Sequence, residues 1–156
     1  MKSQSPVEIL LVEDDPRDVE LTKHALQRDN LCNNIHVAGD GEEALDFLFG
    51  RGVYDNRQNG PNPYLVLLDL RLPKIDGLEV LREIKNNPRT RMVPVIVLTS
   101  SREQKDLVES YRLGVNSYIQ KPVDFLQFQF AVRQVGLYWL LLNRAPAAEV
   151  IVEAKR

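Results

Sequence analysis

The sequence has one cysteine, Cys32, and only two histidines in 156 residues. A lone cysteine cannot close a disulfide within the chain. Disulfide-stapled secreted scaffolds are therefore excluded, and a reducing, cytoplasmic setting is expected. His24 and His36 are too few and too scattered for a histidine-based metal or phosphorelay site, and both read as structural. A basic excess is also missing: 20 Lys and Arg stand against 22 Asp and Glu, for a net charge of −2. Neither nucleic acid nor an anionic membrane is an expected partner. The longest apolar run, Leu137 to Leu142, is far below the ~20 residues that span a bilayer. Glu8 falls where the apolar core of a signal peptide would begin, so none is expected.

What is present is a chain of ordinary globular make-up, 44% hydrophobic and 27% charged. Its length suits one domain with a sizeable core. Short apolar runs alternate with amphipathic stretches. Val7–Val12, Ile35–Ala38, Tyr64–Leu68, Val93–Leu98 and Ser117–Gln120 read as strands. Pro16–Arg28, Asp40–Phe49, Gly77–Asn86, Glu103–Leu113 and Asp124–Asn143 read as helices. Asp15 and Pro16 suit a helix start, and Gly114 suits a helix end. Alternating strands and helices imply right-handed crossovers and a parallel sheet covered on both faces. The predicted fold is α/β, a flavodoxin-like doubly wound five-stranded parallel sheet of order 2-1-3-4-5. One domain is expected over 1–143, with a short tail over 144–156 and no output domain. The Gly50–Pro63 loop stands out as long and polar.

In such a sheet, ligands sit at the carboxyl ends of the strands. Glu13-Asp14-Asp15 follow the first strand, Asp69 the third, Thr99-Ser100 the fourth and Lys121-Pro122 the fifth. Taken singly, each reads as a solvated cap or turn. Together, four suitable groups at four adjacent strand ends are hard to obtain by accident. Converging carboxylates repel one another unless a cation is present. Mg²⁺ fits, since it takes oxygen ligands and binds beside phosphate. Such an ion would keep Asp69 ionised and nucleophilic, while Thr99 and Lys121 would hold phosphoryl oxygens.

LLVEDDPRD, LLDLRLPKIDGLEV, VIVLTSS and SYIQKP, in this order, resemble the four motifs of response-regulator receiver domains. The resemblance covers about residues 7–143. It implies that Glu13 and Asp14 are the acidic pair, with Asp14 a direct metal ligand. It makes Asp69 the phosphoacceptor and the backbone carbonyl of Arg71 a further metal ligand. Thr99 and Lys121 become the phosphoryl contacts, and a cis bond is implied before Pro122. On phosphorylation, Thr99 would move towards the phosphoryl group and Tyr118 would turn inward. Arg71 and Ser101 take positions that tune the phosphoryl lifetime. The chain would not be an enzyme beyond its own Mg²⁺-dependent phosphorylation and dephosphorylation. FLQFQFAVRQVGLYWLLLNRAP and the long loop resemble the single-domain regulators that partner phytochrome histidine kinases.

Two other functions fit less well. An Asp-nucleophile phosphatase needs a second Asp two residues on, where this chain has Arg71. A flavodoxin needs a phosphate loop after the first strand, where Glu13-Asp14-Asp15 would repel phosphate. The last helix adds one more expectation. Phe125, Phe128, Val132, Val135, Trp139 and Leu142 form one apolar stripe, and Leu126, Phe130, Leu137 and Leu141 form another. One sheet covers only one stripe. A homodimer through this helix is expected, with Tyr138, Trp139 and Leu141 at the interface and Ala147–Val152 packed along it. Related phytochrome-partner regulators dimerise through the same region.

Overall fold

Side-chain alternation along the strands decides which residues face which helices. In the computed structural model, residues 8–28, 34–58, 60–122 and 124–143 are described. Cys32, the tail 144–156 and its Ala147–Val152 stretch lie outside the described residues. The five strands are β1 (Glu8–Val12), β2 (Asn34–Ala38), β3 (Leu65–Leu68), β4 (Val95–Thr99) and β5 (Ser117–Gln120). They pair in parallel in the order β2-β1-β3-β4-β5, which is the expected flavodoxin-like order. The helices are α1 (Pro16–Gln27), α2 (Gly41–Phe49), α3 (Gly77–Asn86), α4 (Gln104–Leu113) and α5 (Phe125–Gly136).

Leu10, Val12, Val66, Leu68, Val95 and Val97 face one side, against Ala44, Leu45 and Leu48 of α2 and Val80, Leu81 and Ile84 of α3. The alternate residues Ile9, Leu11, Leu65, Leu67, Ile96 and Leu98 face the other, against Ala25 and Leu26 of α1 and Phe128, Val132 and Val135 of α5. The central strands β3 and β4 are buried throughout, whereas the edge strand β5 is half-exposed. β4 begins at Val95 rather than Val93. Pro94 has no N–H to give to the ladder, and the Val93 amide instead closes a turn onto Thr90 O at 2.9 Å.

Aspartates cap four of the helices: Asp15 on Arg17 N, Asp40 on Glu43 N, Asp76 on Leu78 N, and Asp124 on Leu126 N and Gln127 N. The last predicted helix differs from expectation at its end. It stops being α-helical at Gly136 and continues as a π-helical segment, Leu137–Leu142. The Asn143 amide reaches back five residues to Tyr138 O at 2.6 Å. That wider turn shifts the phase of the apolar stripe. Phe128, Val132 and Val135 are buried and Trp139 packs on the same core, but Phe125 and Leu142 are exposed.

The long loop holds a 3-10 helix, Gly52–Arg57. It is pinned to α2 and β2. Tyr54 OH donates to Glu43 Oε1 at 2.9 Å and lies 3.0 Å from His36 Nε2. His36 stacks on Phe47 with centroids 4.2 Å apart, and the Arg57 guanidinium lies 3.7 Å from the Phe47 centroid. Arg57 also pairs with Glu8 of β1 at 2.9 Å. His36 is thus structural, and burial lowers its pKa.

At the start of α3, Gly77 leaves no room for a side chain. A Cβ there would sit 2.4 Å from Asp69 O and 2.5 Å from Leu70 Cα. Both are backbone atoms that cannot step aside. Gly77→Ala is expected to cost about 2 kcal/mol, in the range of overpacked cores. Urea unfolding checks this, with a lower midpoint at an unchanged slope.

Candidate functional site

Because β1, β3, β4 and β5 are neighbours, their carboxyl ends bring Glu13, Asp14, Asp69, Thr99 and Lys121 to one crevice. Lys121 sits at its centre, with only 7% of its side chain exposed. Its ammonium donates to Asp69 Oδ2 at 2.8 Å, to Asp18 Oδ2 at 2.8 Å and to Glu13 Oε1. Burial is the largest single influence on Lys121 and opposes its charge. The carboxylates, Asp69 foremost, outweigh it and hold the lysine above its ordinary pKa. Burial also dominates at Glu13, and the nearby Asp69 charge adds to it. Glu13 is pushed up to about 7 even though Lys121 and the Asp15 amide hydrogen-bond to it.

Asp69 is held from three directions. Oδ2 takes the lysine, while Oδ1 accepts from Thr99 Oγ1 at 3.0 Å and from the Arg71 amide at 3.1 Å. Asp14 is exposed at the rim. Oxygens of Glu13, Asp14 and Asp69 all lie within 4.8 Å of one another. Three hard oxygen donors this close, one of them open to solvent, fit an ion such as Mg²⁺ or Mn²⁺.

The peptide bond before Pro122 corrects one expectation. No cis bond occurs among the described residues, so this one is trans. Trans is the lower-energy form even before proline, and the Lys121 amide bonds Thr99 O at 2.7 Å in this arrangement. Tyr118 is turned inward: its ring packs on the core and its hydroxyl is buried beside Ser101. Thr99 touches Asp69.

Two features were not legible in the sequence: the part of Asp18 and the path of the Arg71 side chain. Asp18, in the first turn of α1, reads in the sequence as a helix-start acid, yet it binds Lys121. The Arg71 guanidinium spans from β3 to α4. It lies 3.1 Å from Glu103, 3.2 Å from Asp106 and 3.4 Å from Ser101, and Ser101 Oγ donates to the buried Asp106 at 2.5 Å. Beside the crevice, a groove of about 960 Å³ runs between α1 and α5 and includes Asp18, Leu21, Pro122 and Phe125 in its lining. Of the expected interface residues, Tyr138 and Leu141 are exposed and Trp139 is half-buried.

The response regulator receiver domain family matches residues 9–133. The chain belongs to this family. A receiver is a signalling domain rather than an enzyme in the usual sense. Rcp1 of Synechocystis sp. is 40% identical over 94% of this chain and 98% of its own. The crystal structure of the Mn(2+)-bound form of Rcp1 matches with a TM-score of 0.86, covering 91% of this chain and 100% of that one. The phosphorylated cyanobacterial phytochrome response regulator RcpA is 38% identical with a TM-score of 0.86, covering 92% of this chain and 100% of that one. The bacteriophytochrome response regulator AtBRR is 53% identical with a TM-score of 0.70, covering 90% and 100%. This receiver therefore resembles single-domain phytochrome response regulators in sequence and fold. No helix among the described residues is long and apolar enough to cross a membrane.

The raised pKa of Glu13 sets a pH dependence for the metal-free receiver. An acid whose folded pKa lies above its unfolded value stabilises the fold at low pH. That contribution is lost as pH rises from about 4.5 through about 7. In chelator, the urea midpoint should fall over this window, and Glu13→Gln should remove most of the slope. A divalent ion favours the ionised carboxylate and should flatten the curve in the wild type.

Proposed function

We propose that this receiver is a Mg²⁺-dependent switch phosphorylated on Asp69 by a histidine kinase of the phytochrome type, acting in the cytoplasm. The observation that carries the reading is the grip on Asp69: Thr99 and the Arg71 amide on one oxygen, Lys121 on the other. Glu13, Asp14, Asp69 and the Arg71 carbonyl would hold the ion. When bound, it supplies positive charge that keeps Asp69 ionised and offsets charge on the phosphoryl group. Asp69 is the nucleophile. Thr99 and Lys121 donate hydrogen bonds to phosphoryl oxygens in place of those they now give Asp69. On phosphorylation Thr99 moves to the phosphoryl group, and the inward position of Tyr118 is favoured. The kinase assignment draws on the phytochrome regulators among the relatives.

Acetyl phosphate with Mg²⁺ should add one phosphoryl group to the wild type and none to Asp69→Asn, read by intact-protein mass. Asp14→Ala should weaken Mg²⁺ binding about tenfold or more by calorimetry, since few carboxylates remain to offset dehydration of the ion. Labelling of Asp69→Asn, or unchanged affinity in Asp14→Ala, would refute these assignments.

The receiver also pairs with a second copy through α5 and the π-helical segment that follows it. Leu126 (71% exposed), Phe130 (64%), Leu141 (64%) and Leu142 (73%) are large apolar side chains left open by the sheet. Tyr138 and Trp139 stand edge to face at 5.4 Å and would anchor the contact. A two-fold dimer uses the same patch on both chains. Light scattering over a dilution series should show a dimer for the wild type and a monomer for Leu141→Asp. A wild type monomeric at high micromolar concentration would end this reading.

A further inference from the structure

Lys121 has three ammonium N–H groups, and the structure directs one to each of Glu13, Asp18 and Asp69. Glu13 and Asp69 belong to the trio of carboxylates whose oxygens lie within 4.8 Å of one another, and Asp18 does not. It reaches the lysine from the first turn of α1, at 2.8 Å, with 26% of its side chain exposed. A cation arriving at the trio draws on the negative charge of Glu13 and Asp69, and phosphorylation takes up an oxygen of Asp69. The charge of Asp18 is left to the lysine alone.

We propose that Asp18 is a positioning residue for phosphoryl transfer. It keeps the Lys121 ammonium in place while the lysine exchanges its bond to Asp69 for one to a phosphoryl oxygen. The inference rests on the reading of Asp69 as the acceptor. In the transfer step, an Asp69 oxygen bonds to phosphorus as the bond from phosphorus to the donor's leaving group breaks. The leaving group takes that electron pair, and Lys121 changes a hydrogen bond without losing a proton. A lysine ends a flexible four-carbon stem. Fixing it before the reaction removes a motion that would otherwise have to be frozen in the transition state. Glu13 cannot serve alone, because its carboxylate is shared with the metal group.

Asp18→Asn, Asp18→Glu, Asp69→Asn and the wild type are compared with acetyl phosphate at saturating Mg²⁺. Turning a charge-assisted hydrogen bond into a neutral one is expected to lower the rate constant at saturating donor about tenfold in Asp18→Asn. The half-saturating donor concentration and the Mg²⁺ affinity should stay at wild-type values, and Asp18→Glu should recover part of the rate. A merely structural role would lower the unfolding temperature without changing the rate constant of the folded protein. An Asp18→Asn variant that reacts at or above the wild-type rate, while Asp69→Asn stays inert, overturns the role of Asp18 alone. A wild type that takes no label, or an Asp69→Asn variant that does, overturns the acceptor reading itself.

Discussion

A buried ammonium among three carboxylates is the constraint around which this receiver is arranged. Lys121 comes from the end of β5, Asp69 from β3, Glu13 from β1 and Asp18 from α1. These charges can leave water only because they leave it together: removing one partner from such a group strands the others. The balance is uneven even so. The lysine is held firmly protonated, whereas Glu13 remains reluctant to ionise. The crevice carries more negative charge than one lysine neutralises, and an added cation would relieve it.

The sheet supplies this arrangement through its order. With β1 beside β3 and β4 between β3 and β5, four strand ends open onto the same edge. Each face of the sheet is closed by helices whose apolar sides match the strand alternation. The core and the crevice therefore use different atoms of the same strands. Arg71 adds a second connection across the mouth. Its amide touches Asp69 while its guanidinium rests on Asp106 and Glu103 at α4.

Most of this order was legible in the sequence, because five apolar runs separated by amphipathic stretches leave few alternatives. Gly77–Asn86 and Ser117–Gln120 match the predicted bounds, and most other ends differ by a residue or two. The strand-end rule also gathers Glu13, Asp14, Asp69, Thr99 and Lys121 from the sequence alone. The rest lay beyond local pattern. Asp18 follows a capping aspartate on a helix, where an acid has an ordinary reason to occur, and only the path of Lys121 across the site gives it another. The π turn after Gly136 leaves no mark in a run as uniformly apolar as LYWLLL. The resemblance suggested a cis bond before Pro122 that this chain does not show. The Arg71 guanidinium could not be placed, since its partners lie 30 to 35 residues away, at and before α4.

The pinned 3-10 helix has a consequence for how the chain tolerates change. It joins α2 to β3, so it lies at the opposite edge of the sheet from the crevice. Its inner residues Tyr54 and Arg57 are tied to Glu43, Phe47 and Glu8, but its outer residue Val53 is 88% exposed. The fastening and the outward tip are thus separate residues. Drift at the tip alters neither the carboxylates nor the sheet register. A change at Val53 therefore leaves the fastening of Tyr54 and Arg57, and with it the far end of the sheet, undisturbed.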